Sequence, residues 1–305
     1  DGGGGGETES RGGSSPGRAV RGSHLPPGLE ASASRDPGAR AITVHARQGR
    51  RQQDSSLLAY DAMSHQRLSV GLAVGSIGRE KLFMRNETAA RVRWQRGRGA
   101  VVDVVGARSA FPMVMPGVHV MTDMLDMDAV PYYPGRESLL RFVGGHHGTK
   151  QSNEDVFVHP PAAGAEANYR VQSGDSVSFL LSDRTCGALR GVWAAARHPR
   201  FALIVGSLWF DVKTGQLVRA VYRPSLPLDV VKFVEATEKD PFEDVPALVK
   251  PMIFPMSLDI TSLTIEYDQH EQHWWLPRLE TVAGRMRVGF RRVPFSCEKS
   301  DRDAG

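Results

Sequence analysis

The sequence predicts a mainly β protein built on one curved antiparallel sheet, a half-barrel, with one or two helices. Two observations predict this fold class. Apolar and polar residues alternate in many segments, which is typical of strands that turn one face toward solvent. Tight-turn signals separate neighbouring segments of this kind. Such short turns can join antiparallel strands but not parallel ones, which need a long crossover.

The clearest pair of strands is an apolar run over residues 203–210 followed by alternating residues over 217–223. Between them lies the turn DVKTG, in which Asp211 can bond its own backbone and Gly215 can take a positive φ. In the second strand Val218, Ala220 and Tyr222 are expected on one face. The pattern therefore predicts a hairpin.

Other elements are predicted from the same kinds of signal. The start signal Asp54-Ser55-Ser56 predicts a short helix over residues 57–63. Residues 173–176 are predicted to turn between two strands, and residues 183–199 show no clear period. Strands are further predicted at residues 68–74, 91–95, 100–105 and 263–267, from residue 274 onward, and over 286–295.

Composition divides the chain into a disordered Gly/Ser/Arg-rich arm, residues 1–53, and a single β-rich domain, residues 54–305. The arm has too few large apolar residues to offset the entropy of ordering. It holds eight Arg against five acidic residues, so +3 of the net +4 lies there. The remainder is nearly neutral, which argues against a nucleic-acid partner.

Two cysteines, Cys186 and Cys297, are too few for a zinc site. A disulfide in an oxidising compartment and two thiols both remain open. No apolar run approaches the ~18–20 residues of a membrane helix. The chain carries neither a signal peptide nor an initiator Met, and we expect a mature chain or a fragment of a longer one.

The blocks GSLWFDVKTGQLVRAVYRP and LTIEYDQHEQHWWLPRLE resemble bacterial cell-envelope proteins built on a curved antiparallel half-barrel. The periplasmic lipoprotein carriers share the aromatic-Asp-x-x-Thr-Gly turn and the following Leu-x-Arg-Ala. The resemblance is strongest to uncharacterised envelope proteins and covers about residues 55–110 and 165–295. It implies a location in the bacterial periplasm or cell envelope.

In the carriers the concave apolar face holds acyl chains, so the resemblance implies a lipid or other apolar ligand. The same side chains would equally build an ordinary closed core, and that alternative stays open. An envelope partner protein or a following domain is a further candidate partner. The residues expected to bind the ligand are Phe210, Val218, Tyr222, Ile265, Tyr267 and Trp275.

A metal-dependent hydrolase is the competing hypothesis. The cluster His270-Glu271-Gln272-His273 is similar to a zinc-protease motif, but such a motif places its two histidines at i and i+4 on a helix. Here the spacing is i and i+3, and the flanks predict a hairpin loop. The hydrolase would hold its metal with the loop histidines His146, His147, His270 and His273, and a purely structural spacer is a third possibility. The leading hypothesis is therefore a non-catalytic binding module without a cofactor.

Overall fold

The structure, a computed structural model of the 305-residue chain, describes part of it in detail. The described residues are 36–74, 79–110, 127–135, 138–141, 156–180, 186–230, 232, 248, 254–271, 274–289 and 291–303.

One α-helix and thirteen strands make up the described part, with a short 3₁₀ helix at Ala165–Ala167. Helix α1 spans Pro37–Ser56. The strands are β1 Ala59–Val74, β2 Arg79–Gln95, β3 Gly99–Ala110, β4 Ser138–Arg141, β5 Val156–Val158, β6 Tyr169–Leu180, β7 Cys186–Ala196, β8 Ile204–Asp211, β9 Leu217–Pro224, β10 Leu228–Asp229, β11 Met256–His270, β12 Trp274–Val288 and β13 Arg291–Asp303.

Eleven of the strands form one antiparallel sheet in the order β3-β2-β1-β13-β12-β11-β9-β8-β7-β6, and β10 pairs with β11. Among the described residues β3 and β6 are the two edges, so the sheet is open and curved and does not close into a barrel. Strands β4 and β5 form a small second sheet. The predicted fold class, a mainly β half-barrel with one or two helices, is confirmed.

One face of the large sheet, here called the inner face, carries the buried side chains. The largest cluster runs across it from β1 and β13 to β7 and includes Leu208, Leu263 and Val282, all at most 1% exposed. A smaller cluster around Leu57, Val92 and Trp94 covers the end next to β3. Helix α1 lies on this face, because its buried Ala39 and Ala46 belong to the largest cluster.

Bulges decide which residues reach the inner face. The β11–β12 register skips Thr261, so the buried residues change from Met256, Leu258 and Ile260 to Leu263 and Ile265. An extra residue in one strand changes the face of every residue beyond it. Simple alternation cannot show such a change.

The prediction of a disordered arm is wrong for residues 37–53, and the helix predicted over 57–63 is wrong. Helix α1 occupies Pro37–Ser56, and β1 begins at Ala59. The missed signal is Asp36-Pro37. The Asp36 carboxylate accepts a hydrogen bond from the Ala39 N–H at 3.0 Å, and proline is favoured in the first turn. Residues 1–35 lie outside the described residues.

The predicted turn at 173–176 is also wrong. Strand β6 continues through it with an irregularity, because its pairs with β7 pass from Ser173–Val192 to Ser176–Arg190. Residues 186–196, which showed no period, form β7. At Gly187 an added Cβ would lie 2.5 Å from the Phe179 ring, so a residue without a side chain suits that position.

Candidate functional site

The candidate site lies between α1 and the inner face of the sheet. At the start of the helix the Asp36 carboxylate also accepts a hydrogen bond from the Ser173 N–H of β6 at 2.8 Å. Hydrogen bonds from Ser173 and from Ala39 lower the pKa of Asp36. At the other end Arg96 donates to the carbonyl oxygens of Asp54 and Leu57. Both ends of the helix are therefore tied to the sheet.

The buried side of α1 is small or polar. Its five buried residues are Ala39, Thr43, Ala46, Gly49 and Gln53. A helix that packs on a core normally presents large aliphatic residues in such a stripe. The small buried residues of α1 allow the helix to approach the sheet closely instead. A Cβ at Gly49 would lie 2.5 Å from the carbonyl oxygen of Thr214, in the β8–β9 turn.

Polar contacts hold the helix in place along its length. The Gln53 side chain donates to the Trp275 carbonyl at 2.8 Å and accepts from the Trp275 N–H at 3.0 Å, as a neighbouring strand would. Gln216 donates to the Gly49 carbonyl at 2.7 Å. On the far side Arg47 donates to the carbonyl of Pro161 at 2.7 Å. The attachment is chiefly hydrogen-bonded rather than hydrophobic.

A small cavity of about 20 Å³ remains beneath the helix, which is enough space for one water molecule. The residues that line it mix apolar and polar side chains. They are Ala46, Arg50, Gln53, Tyr132, His159, Pro161, Phe210, Gly215, Gln216, Leu217, Tyr267 and Trp275. The wall therefore combines aromatic surface with groups that can hydrogen-bond.

Three polar residues of this wall, Arg50, His159 and Tyr267, take part in a cation–π contact or have a shifted pKa. The Arg50 guanidinium lies 5.2 Å from the centre of the Tyr132 ring, a cation–π arrangement. His159 is buried, and neither of its ring nitrogens has a hydrogen-bond partner among the described residues. Burial and, to a smaller extent, the charge of the nearby Arg50 lower the pKa of His159 well below its usual value. Burial also raises the pKa of Tyr267 to about 12.

The structure divides the six residues expected to bind a ligand into three groups. Phe210, Tyr267 and Trp275 line the cavity. Tyr222 and Ile265 are buried in the core, at 3% and 0% exposed. Val218 is the residue that the β8–β9 register skips, because Trp209 pairs with Arg219 and Phe210 with Leu217.

This bulge corrects the predicted face of β9. Leu217, Ala220 and Tyr222 are the buried residues near it, and Val218 is only half-buried. The turn before it is as predicted. The Asp211 carboxylate accepts hydrogen bonds from the Thr214 N–H and hydroxyl at 2.6 and 2.7 Å, and Gly215 has a φ of 72°.

A buried charged cluster lies on the same inner face, toward β1. Lys299 Nζ is 3.1 Å from Glu280 Oε1 and 3.6 Å from Asp301 Oδ2, and all three side chains are buried. Lys299 also donates to the carbonyl of Val130 at 3.5 Å. Burial raises the pKa of Glu280 to about 7, against the opposing effect of Lys299. The sequence analysis missed this cluster.

Of the four histidines of the competing hypothesis, the described residues include His270 alone. His270 Nδ1 lies 2.5 Å from Asp303 Oδ1, which pairs it with β13. His146, His147 and His273 lie outside the described residues. No group of three or more His, Cys, Asp or Glu in the described part of the chain could hold a metal ion.

Cys186 and Cys297 do not form a disulfide with each other. Cys186 lies on β7 opposite Leu180 of the edge strand β6, whereas Cys297 lies on β13 opposite Leu68. Within the described ranges, no helix has the length and hydropathy needed to cross a membrane.

Sequence reasoning missed Arg50, Tyr132 and His159 of the cavity wall. Arg50 fell in the segment predicted to be disordered, and the other two lie between the main strands, in segments without alternation. The Asp36-Pro37 signal was available and would have placed Arg50 on a helix. No local signal in the sequence brings Tyr132 and His159 together beneath that helix.

Comparison with known proteins gives structural similarity only. No protein-family model matches the chain, and no curated protein matches its sequence.

Among solved structures, the chain is similar to a DUF1329 family protein from Desulfovibrio piger, at 10% identity and a TM-score of 0.26. That match covers 88% of this chain and 94% of the other. It is also similar to a LolA superfamily protein from Nitrosomonas europaea, at 11% identity and a TM-score of 0.27, covering 87% and 91%. A third similar structure is the MucA/MucB complex of Pseudomonas aeruginosa, at 9% identity and a TM-score of 0.21, covering 86% and 99%.

Similarity of this size carries no argument about function, which depends on the chain's own residues.

Proposed function

We propose that this chain is a non-catalytic binding module of the bacterial envelope. It takes an apolar ligand with a hydrocarbon chain, such as a lipid, between α1 and the inner face of the sheet. The proposed contact residues are the cavity-lining Phe210, Tyr267 and Trp275, with Tyr222 and Ile265 behind them as the floor. The periplasmic location rests on the resemblance of the two hairpins to the carriers.

The observation that carries this proposal is the chemistry of the covering helix. Large aromatic side chains of the sheet lie beneath a helix whose buried residues are small or polar. If the helix moves away, aromatic surface of the sheet becomes exposed. The helix itself exposes little aliphatic surface, because its buried residues are small or polar. The helix is thus a cover that an apolar ligand can replace.

The two opposing free-energy terms of such an exchange are of similar size. Each hydrogen bond at the edge of the helix contributes about 1 kcal/mol net, because water replaces the partner when the bond opens. A hydrocarbon chain that buries roughly ten methylene groups gains about 8 kcal/mol before the entropy cost of binding. The gain is comparable with the loss of the few hydrogen bonds that hold α1.

The cavity of about 20 Å³ is far too small for an acyl chain. Binding therefore requires α1 to move away from the β8–β9 turn, and the ligand selects this open state. The proposal thus predicts slow, saturable binding with an apparent affinity reduced by the cost of opening.

Two measurements test the proposal. Native mass spectrometry of the chain, purified from bacteria without detergent, should show extra mass that organic solvent extracts. Titration with a fluorescent fatty acid should show saturable binding that unlabelled fatty acid displaces. A bare protein mass together with no saturable binding would contradict the proposal.

A matched pair of tryptophan variants locates the site. Trp275 lines the cavity, whereas Trp193 on β7 is 42% exposed and does not line it. Trp275→Ala should change the affinity for the fluorescent fatty acid several-fold, because it alters the wall of the site. Trp193→Ala should leave it unchanged. Equal effects of the two substitutions would place binding elsewhere.

A further inference from the structure

Strand β3 is an exposed edge of the large sheet. It is 12 residues long, and among the described residues it pairs only with β2. Four of its valines are exposed: Val101 at 54%, Val102 at 41%, Val104 at 63% and Val105 at 60%. A long edge with apolar side chains on both faces is a template for another strand.

Several of the usual protections against edge pairing are missing from β3, although it does contain one bulge. Natural edge strands often carry proline, lysine or a charge that points inward. The sequence GAVVDVVGARSA has neither Pro nor Lys. Its two charged residues, Asp103 and Arg108, both lie on the outer face, because they pair with Arg91 and Glu87 of β2.

We propose that β3 binds β3 of a second copy of this chain, antiparallel, so that two sheets join into one. A two-fold axis requires a self-complementary register, in which the same two residues face each other twice. One register meets this condition and also pairs opposite charges. It sets Asp103 opposite the partner's Arg108, Val104 opposite the partner's Ala107, and Val105 opposite the partner's Gly106.

The bulge in β3 makes this register possible. Ala90 pairs with Val104 and Ala89 with Gly106, so the register skips Val105. Without the bulge, Asp103 and Arg108 would lie on opposite faces, because they are five residues apart. With it, both reach the outer face, where a direct cross-strand ion pair can form.

Charge complementarity selects a second copy over other partners. Arg93 pairs with Asp103 at 2.5 Å, and Glu87 pairs with Arg108 at 2.6 Å and with Arg67 at 3.1 Å. In the dimer these two groups meet, and the outer face carries Arg93, Asp103, the partner's Arg108 and the partner's Glu87 in alternating sign.

The inner face adds apolar burial. Val102 and Val104 lie beside the buried Val92 and Ala90, so they continue the smaller core cluster to the edge of the sheet. In the dimer the corresponding valines of the second copy extend the same apolar surface. This interface is separate from the proposed ligand site beneath α1 and does not depend on it.

Analytical ultracentrifugation of the full chain over a range of concentrations tests the proposal. A reversible monomer–dimer equilibrium is expected. Asp103→Arg should raise the dimer dissociation constant at least about tenfold, because two symmetric attractive contacts become repulsive. Arg108→Asp should do the same. The double variant, Asp103→Arg with Arg108→Asp, should dimerise more tightly than either single variant, since both pairs across the interface are again opposite in charge. It should stay weaker than the wild type, because Arg93 and Glu87 then face like charges within each chain.

Controls separate this interface from general changes of charge or folding. Asp259→Arg alters an exposed residue of β11, in the middle of the sheet, and should leave the equilibrium unchanged. Val104→Lys places a charge on the inner edge and should abolish the dimer, while circular dichroism shows an intact fold. Amides of β3 should exchange more slowly as the protein concentration rises.

Three outcomes would overturn the proposal. The first is a monomer at every concentration. The second is a dimer that neither Asp103→Arg nor Val104→Lys weakens. The third is growth into longer assemblies, which would indicate head-to-tail pairing of β3 with β6 instead of a closed two-fold dimer.

Discussion

At the residue scale, Gly49 sets how closely α1 approaches the sheet. An added Cβ would lie 2.5 Å from the Thr214 carbonyl oxygen and 3.4 Å from Gln216 Nε2. The nearer atom belongs to the backbone, so the helix has to shift to accommodate a side chain. Close packing of the helix on the β8–β9 turn therefore depends on a residue without a side chain.

Gly49→Val is expected to lower the free energy of unfolding by about 1–3 kcal/mol, because the larger residue forces the helix outward. The same variant should bind the fluorescent fatty acid more tightly, since less free energy is then needed to move α1 away from the β8–β9 turn. Chemical denaturation and the fatty-acid titration measure the two effects.

Ala41→Val, at an exposed position of the same helix, is the control for this substitution. Its stability should stay within about 0.7 kcal/mol of the wild type, the size of a helix-propensity difference. If Gly49→Val loses stability but gains no affinity, α1 is a structural part of the fold and not a cover over the site.

Lys299 is the second residue on which the inner face depends. It is the cation beside Glu280 and Asp301, and all three are buried. Removing one partner of a buried ion pair leaves an uncompensated charge. Lys299→Met should therefore lower the free energy of unfolding by about 3–5 kcal/mol at neutral pH.

Lys232→Met is its matched control. Lys232 lies 3.7 Å from Asp229, but its side chain is 81% exposed. Exposed pairs contribute about 0–1 kcal/mol, so the loss should be small. Equal losses for the two lysines, measured by urea denaturation, would show that the buried cluster is well solvated.

At the element scale, α1 is held by paired hydrogen bonds more than by apolar burial. Gln53 makes two hydrogen bonds with the backbone of Trp275, whereas its neighbour Gln52 is exposed. Gln53→Ala should cost about 1–3 kcal/mol, because both backbone groups lose their partner. Amide hydrogen exchange in α1 should rise before global unfolding.

Gln52→Ala, on the solvent side of the same turn, should change neither stability nor exchange. If Gln53→Ala is also neutral, the helix is held by other contacts, and the proposed opening mechanism loses its physical basis. The two substitutions remove the same side chain at adjacent positions. The difference between them therefore isolates the contact with Trp275.

At the scale of the whole molecule, two buried groups give opposite dependences of stability on pH. Burial lowers the pKa of His159, so the unfolded chain takes up a proton more readily below about pH 6.5. That contribution to stability is lost as the pH falls. Burial raises the pKa of Glu280 to about 7. The folded chain then holds the proton more tightly, and stability is lost as the pH rises from about 4.5 to 7.

Single substitutions should separate the two contributions. In Glu280→Gln the His159 effect remains, so the free energy of unfolding should fall as the pH drops from about 6.5 to 5. In His159→Phe the Glu280 effect remains, and stability should fall as the pH rises over the same window. Each slope is at most about 1.4 kcal/mol per pH unit, the value for one proton.

Urea denaturation at several pH values, with both variants and the wild type, measures these slopes. The wild type should show a flatter profile than either variant, because the two contributions oppose each other. Parallel profiles for the two variants would contradict the assignment. In that case other groups would set the pH dependence.

The sequence by itself determined the antiparallel class and most of the hairpins. The turn at Gly215 depends on residues next to each other, and alternation within a strand is equally local. These features could be predicted because their cause lies within a few residues. The choice of Phe210, Tyr267 and Trp275 as contact residues came from the resemblance of the two hairpins to the carriers, and their role in binding stays a prediction.

Only the tertiary structure decided what covers those aromatic residues and which residues reach the inner face. Helix α1 buries small and polar residues, so its contact with the sheet leaves little apolar periodicity in the sequence. The skipped residues Val218, Thr261 and Val105 follow from pairing with other strands. The Lys299 cluster forms because β12 and β13 are neighbours. Each depends on contacts between distant parts of the chain, which no local pattern records.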